Sequence, residues 1–589
     1  MSVQIGIDVG GTFTHAVALD AATAQVLSAA QVPTTHTAQT GVASGVVEAL
    51  RSVLERGKVQ TSSVIFVAFS TTQATNALLE GDTSVVGILG LGGGPTSALA
   101  RYQTRLGNLE LAPGVVLRTV HRFVEAGGDR VGDRLRAAAG ELAVAGAEVL
   151  VASAAFGPDE PELEQDAVLV AESLGLRAMA ASALSGLHGL KLRTRTAVLN
   201  ASILSVMMRT ADMTERSVRE MGIEAPVLVM RSDGGVMRLD EMRRRPILTV
   251  LSGPAAGVAA AILHARVSDG IFLEVGGTST DISVIRDGKA QVRGARVGGH
   301  RVSVRALDIT TLGVAGGSVP VLSGGRVCDV GPRSAHIAGF RYASFVRPRD
   351  VRLGKPGPDD GLMRVECAHE AGDITVTPTC AANLLGQYQE NEWGRGNAES
   401  VEIAIDLMGL PGKPGLNLAR RIQELVAAKI AGVVERLVEE HRLDRETIQL
   451  IGGGGGARAV VPPVARRMQL PYRLVEHAPI ISAIGTAIAM LRETIEKSIV
   501  SPSEGDLLAS RREAWEKLAA MGARPDTIQV ELEVETGRNL LRATATGSAR
   551  TDEPAARAVA ADLEALATAA FPAGCGAPRR VASTGPLTV

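Results

Sequence analysis

The sequence predicts an α/β protein made of two comparable halves, and three observations support this prediction. Short β-branched runs such as VQIGIDVG and VIFVAF alternate with Ala- and Leu-rich helical stretches in the first half of the chain. Strands that alternate with helices form a mixed or parallel sheet covered on both faces. A similar order recurs later, where APVLVMRSDGG, IFLEVGG and DISVIRDG read as strands and SGPAAGVAAAILHARV reads as a helix. The length of 589 residues, with 46% hydrophobic residues, is enough for several cores.

We predict three regions along the chain. An N-terminal α/β domain spans 1–190, and a second one spans 191–500 and ends with a long helical stretch followed by LIGGGGGARAV. The second domain contains a loop-rich insertion at about 327–396, which is rich in Gly, Pro and Arg and weak in periodicity. From 501 to 589, a helix around RREAWEKLAAM and the alternating runs TIQVELEV and LLRATATG predict a small C-terminal α+β module and a tail.

Composition excludes several classes of protein. The 61 basic and 63 acidic residues are mixed along the chain, so we expect neither nucleic acid nor anionic lipid as a ligand. No stretch approaches the roughly 18 apolar residues of a membrane span. The four cysteines are widely spaced, and VQIGID begins without a basic and then apolar leader pattern. We therefore expect a cytoplasmic protein.

The strongest local motif is IDVGGTFT, a strand that ends in a carboxylate and a glycine pair. Gly10 and Gly11 let backbone N–H groups approach a phosphate, and Thr12 and Thr14 add hydroxyl donors. Asp8 is suited to hold Mg²⁺ or its water. Alone, the motif fits an ordinary Asp and Gly-Gly turn equally well.

The second motif repeats this pattern in the second half. Glu274 ends the strand IFLEV, and Asp281 begins the strand DISVI. Between them lie the phosphate-loop candidates Gly276, Gly277, Thr278, Ser279 and Thr280. Two such turns in two similar halves are expected to face each other and clamp one triphosphate, which favours phosphate binding over two unrelated turns.

The third motif is a run of glycines after a long helix and a predicted strand. Its members are Gly452, Gly453, Gly454, Gly455 and Gly456. The absence of side chains leaves room for a flat group such as adenosine against the backbone, although a flexible linker has the same composition. The ordered flanking elements favour adenosine binding by residues 452–455.

In this order the three motifs resemble the actin, sugar-kinase and heat-shock-chaperone ATPase superfamily. Within it, the chain resembles the hydantoinase and oxoprolinase family over about residues 3–492. The strings that carry this resemblance are IGIDVGGTFT, ATNALLE, MRSDGGV, LSGPAAGV, VGGTSTDIS and GVAGGSV. The resemblance implies duplicated ribonuclease-H-like (actin-like ATPase) domains around a nucleotide cleft.

The resemblance also implies an activity. ATP and Mg²⁺ are the expected cofactors, and the expected reaction is ATP-dependent opening of a cyclic amide of the hydantoin, oxoproline or lactam type. Phosphorylation of the carbonyl oxygen creates a leaving group, which lowers the barrier to hydrolysis. A second hydantoinase-type subunit and an oligomeric assembly are implied as partners.

Four carboxylates are the expected acting groups. We assign catalytic roles to Asp8, Asp281 and Asp233, and metal binding to Asp8, Glu274 and Asp281. For Asp233, in RSDGG, a turn-forming role is the alternative. Asp308 and Thr310, before GVAGGS, are weaker candidates.

The chain departs from the family's pattern at three positions. His15 stands where members usually carry Asp, and a lone His is more often structural than catalytic. Glu274 replaces the usual Asp and lengthens the arm by one methylene. Cys380 replaces the acidic residue of a TDA signature. These changes indicate a divergent branch, so the substrate is not carried over.

Two other functions remain open at this stage. ATP-driven carboxylation of a ketone uses the same activation of a carbonyl oxygen. A nucleotide-switched binding protein of the chaperone type would need a separate peptide-binding β domain, and the region after residue 501 is too short for one.

A metal site in the insertion is a weaker hypothesis. Cys328, His336, Cys367, His369 and Cys380 all fall in this segment, and Cys and His are zinc ligands when gathered tetrahedrally. Their spacing matches no standard zinc finger, which favours buried or incidental residues. Trp393 and Trp515 are expected to be packing residues.

Overall fold

A computed structural model describes the protein at residues 1–10, 13–34, 43–358, 360–367, 372–410 and 415–549. Gly11, Thr12, His369, Cys575 and the predicted tail lie outside these described residues.

Within the described ranges the chain forms 29 β-strands. In the first half they are β1 (Val3–Val9), β2 (Phe13–Asp20), β3 (Val26–Pro33), β4 (Val64–Thr71), β5 (Val86–Gly92), β6 (Leu109–Ala112), β7 (Val115–Leu117), β8 (Thr119–Glu125), β9 (Val149–Ala154), β10 (Arg177–Ala180), β11 (Val227–Met230), β12 (Val236–Arg238), β13 (Gly270–Val275) and β14 (Thr280–Arg286). The remaining strands are β15 (Lys289–Ala290), β16 (Val292–Val297), β17 (His300–Leu307), β18 (Ile309–Leu312), β19 (Ser318–Ser323), β20 (Arg326–Ser334), β21 (Arg341–Tyr342), β22 (Lys355–Pro356), β23 (Val365–Glu366), β24 (Ile374–Thr375), β25 (Leu450–Gly453), β26 (Tyr472–Leu474), β27 (Leu491–Ser498), β28 (Gln529–Glu535) and β29 (Leu540–Gly547).

The same ranges hold 17 α-helices. They are α1 (Ala43–Gly57), α2 (Gln73–Glu80), α3 (Ser97–Thr104), α4 (Val131–Val144), α5 (Glu162–Ser173), α6 (Leu190–Ser202), α7 (Leu204–Glu220), α8 (Leu239–Arg244), α9 (Ser252–Leu263), α10 (Ala335–Ala338), α11 (Pro348–Val351), α12 (Pro378–Leu384), α13 (Ala398–Leu407), α14 (Gly415–Glu440), α15 (Ala457–Met468), α16 (Ile481–Ile488) and α17 (Glu504–Ala520). No helix in the described ranges is long and apolar enough to cross a membrane.

The first large sheet has nine strands in the order β28-β29-β27-β12-β11-β4-β1-β2-β3. Strands β1, β2 and β3 form an antiparallel meander, and β4 and β11 run parallel to β1. In this register Asp8 lies beside His15 on one side and Ser70 on the other. Parallel strands end at one edge of a sheet, so the residues after β1, β4 and β11 gather there.

The second large sheet repeats this arrangement. Its main path is β15-β14-β13-β25-β26, with β14 antiparallel to β13, and with β25 and β26 parallel to it. Glu274 lies between Asp281 and Gly453 in the register. Meander-then-parallel order in both sheets confirms the predicted duplicated α/β fold.

Smaller elements surround these sheets. A parallel sheet, β10-β9-β5-β8, is covered by α4 and α5 and has its own apolar core. The loop-rich insertion contains a small four-stranded sheet, β21-β24-β23-β22.

The C-terminal region contributes to the first sheet. Helix α17 begins with a capping box in which Ser503 and Asp506 satisfy each other's backbone N–H groups. The predicted strand pair is present as β28 and β29, and β29 pairs antiparallel with β27. The first sheet therefore takes strands from both sides of residues 190 and 500, and the domain boundaries at these positions remain predictions.

Two helices connect the large sheets. Helix α9 leads from β12 to β13, and α16 leads from β26 back to β27. Both are rich in Ala and Gly and largely buried, because they pack against each other and α16 also packs against β1. A Cβ built on Gly6 of β1 would lie 2.0 Å from the carbonyl oxygen of Ala483. Small residues therefore permit this close packing.

Candidate functional site

The first glycine turn joins β1 to β2. The backbone N–H of Gly10 donates to the carbonyl oxygen of Phe13 at 3.1 Å, which closes the turn. Thr14 is fully buried, and its Oγ1 lies 3.1 Å from Oγ1 of Thr34. Thr34 in turn donates to the carbonyl oxygen of Gly10 at 2.8 Å. The Thr14 hydroxyl therefore belongs to a bond network that supports the turn.

The second turn joins β13 to β14 and has equivalent closure. The N–H of Gly276 donates to the carbonyl oxygen of Ser279 at 3.0 Å. The carbonyl oxygens of Gly276 and Gly277 accept from Gly316 and Gly317, both at 3.1 Å. Thr280 is buried and donates to the carbonyl oxygen of Val314 at 2.6 Å, whereas Thr278 and Ser279 are partly accessible. Of the three hydroxyls, Thr278 and Ser279 are therefore the accessible ones.

Asp8 and Asp281 are the carboxylates beside the two glycine turns. Burial raises the pKa of Asp8 to about 6, Ser70 opposes the rise by donating at 2.5 Å, and the charge of Asp281 adds to it. Burial also raises the pKa of Asp281 to about 6, against a bond from Thr311 at 2.5 Å. Each residue is partly accessible, as expected at the floor of a cleft. The charge of Asp281 is therefore close enough to act on Asp8, although the two residues belong to different sheets.

Glu274 is the third carboxyl group of this cluster. Burial raises its pKa well above the ordinary value, Ser482 opposes this by donating to Oε1, and the charges of Asp8 and Asp281 add to it. Its Oε2 is buried and has no hydrogen-bond partner among the described residues. A Cβ on Gly257 would lie 2.0 Å from this Oε2. Burial therefore favours the protonated form of Glu274, which is held between α9 and α16.

These carboxylates suit a hard cation, although they do not form a compact cluster. No three His, Cys, Asp or Glu side chains in the described part of the chain converge closely enough to hold one metal ion. Mg²⁺ commonly takes one or two carboxylates and completes its shell with water and phosphate. Burial and mutual repulsion disfavour the ionised forms of Asp8 and Asp281, and a divalent cation would relieve this penalty. The residues present therefore fit Mg²⁺.

The five positions of the glycine run at 452–456 require glycine for different reasons. A Cβ on Gly452 would lie 2.6 Å from Leu474, and one on Gly453 would lie 2.8 Å from Phe272. Gly454 has a φ of +84° and faces the backbone of Val275. A Cβ on Gly455, in contrast, would meet nothing within 4 Å. Close packing explains four of the five glycines, since a Cβ on Gly456 would lie 2.7 Å from the carbonyl oxygen of Gly276, whereas Gly455 faces open space.

Asp233 lies in a buried ion-pair network beyond β11. Arg231 donates to both of its carboxylate oxygens, at 3.2 and 2.9 Å. Glu493, on β27, accepts from Arg231 at 3.1 Å and from Arg245 at 2.9 Å. Burial alone would raise the pKa of Asp233, but Arg231 and then Arg492 outweigh it and hold that pKa below the usual range. Asp233 is therefore a fixed anion, and its predicted catalytic role remains a prediction.

This network was not found from the sequence. Glu493 follows Arg492 in the strand LRETIEKS, and its partner Arg231 is 262 positions away. The available signal was the charged pair Arg231 and Asp233 directly after an apolar strand, since a buried strand end rarely carries both signs without partners.

The structure shows the surroundings of His15 and Cys380, which depart from the family pattern, and of the weaker candidate Asp308. His15 lies beside Asp8, and burial lowers its pKa to about 4, opposed by a bond with Gln31, so the imidazole is neutral. Cys380 is fully buried and near Ser344 and Thr377. Asp308 pairs with Arg293, at 2.9 Å.

The zinc hypothesis gains no support from the described residues. Cys328 is exposed, Cys367 partly buried and Cys380 buried, and all three are free. Of the two tryptophans, Trp393 is 52% exposed and Trp515 is 38% exposed, so neither is a fully buried packing residue.

Comparison with known proteins gives matches along most of the chain. A sequence model described as Hydantoinase/oxoprolinase N-terminal region matches residues 4–175, and one described as Hydantoinase/oxoprolinase matches residues 193–495. Caprolactamase subunit alpha of Pseudomonas jessenii is 25% identical over 483 residues, which cover 77% of this chain and 65% of that subunit. The curated relatives are longer than the segments they match, which cover between 21% and 65% of each relative's own length.

Two solved structures share the fold. The ATP-dependent caprolactamase from Pseudomonas jessenii has a TM-score of 0.66 at 20% identity, covering 92% of this chain and 87% of that chain. Acetone carboxylase in a nucleotide-free structure has a TM-score of 0.63 at 17% identity, covering 94% of this chain and 89% of that chain.

Proposed function

Because this chain belongs to the hydantoinase/oxoprolinase family, we propose that it is the ATP-using subunit of an enzyme that opens a cyclic amide. The observation that carries the proposal is the pair of glycine turns from different sheets whose carboxylates, Asp8 and Asp281, are close enough for the charge of Asp281 to raise the pKa of Asp8. A phosphate chain between these turns would meet glycine backbone from both sides and the accessible hydroxyls of Thr278 and Ser279 from the second turn. The relatives support the class of substrate, since one of them is named for a lactam.

We propose that ATP and Mg²⁺ occupy the space between the turns. The backbone of Gly10, Gly276 and Gly277 would approach the phosphates, and Gly455 would border the adenosine. Asp8 and Asp281 would hold Mg²⁺ or its water molecules, with Glu274 behind them. When bound, Mg·ATP supplies the phosphoryl group that turns the amide carbonyl oxygen into a leaving group.

The chain's own residues have distinct tasks in this proposal. Ser70 and Thr311 orient Asp8 and Asp281 through their short hydrogen bonds. With a pKa of about 6, Asp281 is mostly ionised at pH 7 and is suited to accept a proton from water. Burial favours the protonated form of Glu274, and in that form it would add no third negative charge beside the phosphates.

A second subunit is part of the proposal. The lactamase relative is named as a subunit, and this chain spans about two thirds of it. We propose that ring opening needs the neighbouring gene product, and that the assembly is a cytoplasmic oligomer.

Carboxylation of a ketone is the second candidate function. It is favoured by one observation, the likeness in fold to acetone carboxylase. Both reactions phosphorylate a carbonyl oxygen, so they differ in what attacks the activated carbon.

The test is a measurement of phosphate release and product formation with the purified chain, alone and with its partner, against hydantoins, lactams and ketones. We expect a cyclic amide to stimulate ATP hydrolysis, and ring-opened product to form only with the partner. Bicarbonate-dependent product from a ketone would establish the alternative. ATP hydrolysis that responds to none of these compounds would contradict both.

A further inference from the structure

The loop-rich insertion brings Tyr342 to the second glycine turn. Tyr342 ends the short strand β21, which pairs in parallel with β24. The chain before β21 is fastened to the loop that precedes β19, because the N–H of Ala335 donates to the carbonyl oxygen of Gly317 at 2.8 Å. The chain after β24 is fastened to the same loop, because the N–H of Thr379 donates to the carbonyl oxygen of Gly316 at 2.9 Å. Both ends of this segment therefore hold Tyr342 against the loop that borders the turn.

The hydroxyl of Tyr342 contacts the backbone of the turn. Gly317 donates to the carbonyl oxygen of Gly277, as described above, and a Cβ built on Gly317 would lie 1.8 Å from Oη of Tyr342. A Cβ built on Gly277 would lie 3.3 Å from the same Oη. The hydroxyl thus occupies the position that a side chain at 317 would take. Gly277 is exposed and precedes the accessible Thr278, so the hydroxyl lies at the exposed tip of the turn.

This hydroxyl is a donor without an acceptor. It has no hydrogen-bond partner among the described residues, and unlike the hydroxyl of Tyr388 it is not sealed from solvent. Burial raises the pKa of Tyr342 above its ordinary value, so the hydroxyl keeps its proton at neutral pH. It can therefore donate a hydrogen bond to an acceptor that arrives from solution.

The ring of Tyr342 is held in this position. It stacks on Phe345, with the ring centroids 5.7 Å apart and an angle of 20° between the planes. The two residues between them in sequence, Ala343 and Ser344, are buried and anchor the segment. A donor that is fixed before a ligand arrives loses little conformational freedom on binding, so its hydrogen bond contributes more to affinity.

Three hydroxyls lie around this one turn. Thr278 and Ser279 are the accessible hydroxyls within it, and Tyr342 adds a third from a distant part of the chain. Backbone and hydroxyl donors at a glycine turn suit phosphate oxygens, and a hydrogen bond to a charged acceptor is stronger than one between neutral groups. The chemistry that matches the free hydroxyl is therefore a phosphate group.

We propose that Tyr342 is a phosphate-binding residue, and that its hydroxyl donates to an oxygen of the phosphate chain held at the second glycine turn. The loop-rich insertion then forms part of the nucleotide site. This inference rests on the proposed function, which places the phosphates between the two turns.

Calorimetric titration of the full chain and of Tyr342→Phe tests the inference. The probes are a non-hydrolysable ATP analogue with Mg²⁺, and inorganic triphosphate with Mg²⁺ as a competitor that has the phosphates without adenosine. We expect Tyr342→Phe to bind both probes about tenfold to hundredfold more weakly, the range for a hydrogen bond to a charged group. The variant keeps the ring and loses a hydroxyl that has no partner in the protein, so its melting temperature without ligand should not fall.

Tyr472→Phe is the matched control. Tyr472 is exposed and begins β26 beside Leu450, at the end of β25 opposite Gly453. Its hydroxyl is therefore away from the glycine turns, and this variant should bind both probes as the parent does.

The outcomes separate this inference from the function on which it rests. If the parent and Tyr342→Phe bind the analogue equally well, Tyr342 has no role in the site, and the proposed nucleotide site stands without it. A loss of affinity for the analogue with no loss for inorganic triphosphate would also overturn the phosphate contact. If the parent itself does not bind the analogue, the inference fails together with the proposed function.

Discussion

Gly485 and Ala256 are in such close contact that a Cβ built on Gly485 would lie 1.8 Å from the carbonyl oxygen of Ala256. They belong to α16 and α9, the two helices by which the chain passes between its large sheets. The absence of a side chain at Gly485 therefore permits the close approach of the two helices that connect the large sheets.

We predict that Gly485→Ala destabilises the fold by about 3 kcal/mol, because the added methyl group meets rigid backbone. Thermal and urea unfolding measure this change. Gly432→Ala is the matched control: Gly432 lies within helix α14 with nothing within 4 Å of a Cβ, so this change should stabilise by up to about 1 kcal/mol. Equal melting of the two variants would contradict the close contact.

Asp281→Asn should stabilise the ligand-free protein at pH 7.5. The folded-state pKa of Asp281 is about 6 and the ordinary value is 3.8, so the folded state binds the proton more tightly. Stability from this group is present at low pH, falls as pH rises from about 4 to about 6, and stays lower above that. Asp281→Asn does not carry this loss of stability, which is on the order of 2 kcal/mol. The difference in stability between the variant and the parent should therefore shrink as pH falls toward 4.

Melting curves of both proteins between pH 4 and pH 8 measure the effect. Asp20→Asn is the control of opposite sign, because the N–H and hydroxyl of Thr23 lower the pKa of the exposed Asp20. This control should lose stability at pH 7.5 relative to the parent.

Asp8→Asn should lower ATP hydrolysis at least about 100-fold while the protein still folds, since the charge that manages Mg²⁺ is lost and the shape is kept. Initial rates over a Mg²⁺ titration measure it. Rates close to those of the parent at all Mg²⁺ concentrations would remove Asp8 from the proposed mechanism.

Gly455→Val should block binding of an ATP analogue without changing the melting temperature, because this glycine faces open space. Gly453→Val should instead unfold or destabilise the protein, since its Cβ would meet Phe272 and Ile481. Calorimetric titration paired with melting separates the two effects. Unchanged nucleotide affinity in Gly455→Val would contradict an adenosine site at this loop.

Glu493→Gln should destabilise the protein by about 3–5 kcal/mol, because the buried guanidinium of Arg231 and the half-buried one of Arg245 would lose their shared carboxylate. Glu399→Gln is the control, since the Arg352–Glu399 pair is exposed and should change stability by less than about 1 kcal/mol. Urea unfolding at one pH compares them.

The two glycine turns were predictable from the sequence because their determinants are local. A carboxylate at a strand end followed by two glycines defines the turn by itself, and both Asp8 and Asp281 were placed correctly at strand ends. The reasons for other glycines are not local. Gly453, Gly257 and Gly485 are small because of Phe272, Glu274 and Ala256, which the fold brings to them.

Long-range ion pairs escaped sequence reasoning for the same reason. Glu493 looked like an ordinary charged residue of an alternating strand, and only the register of β27 beside β12 brings it to Arg231 and Arg245. The pairing of β28 and β29 with the first sheet could not be predicted from the sequence either, because periodicity identifies a strand but not the strand beside it.

The order of the nine-stranded sheet also affects synthesis. Strand β12 is made early, yet β27, which pairs with it, begins at Leu491, about 250 residues later, at roughly 5–20 residues per second. For tens of seconds the nascent chain therefore carries β12 as an unpaired edge, open to pairing with other chains. Expression yield should accordingly depend on chaperone supply during translation more than on the stability of the finished fold.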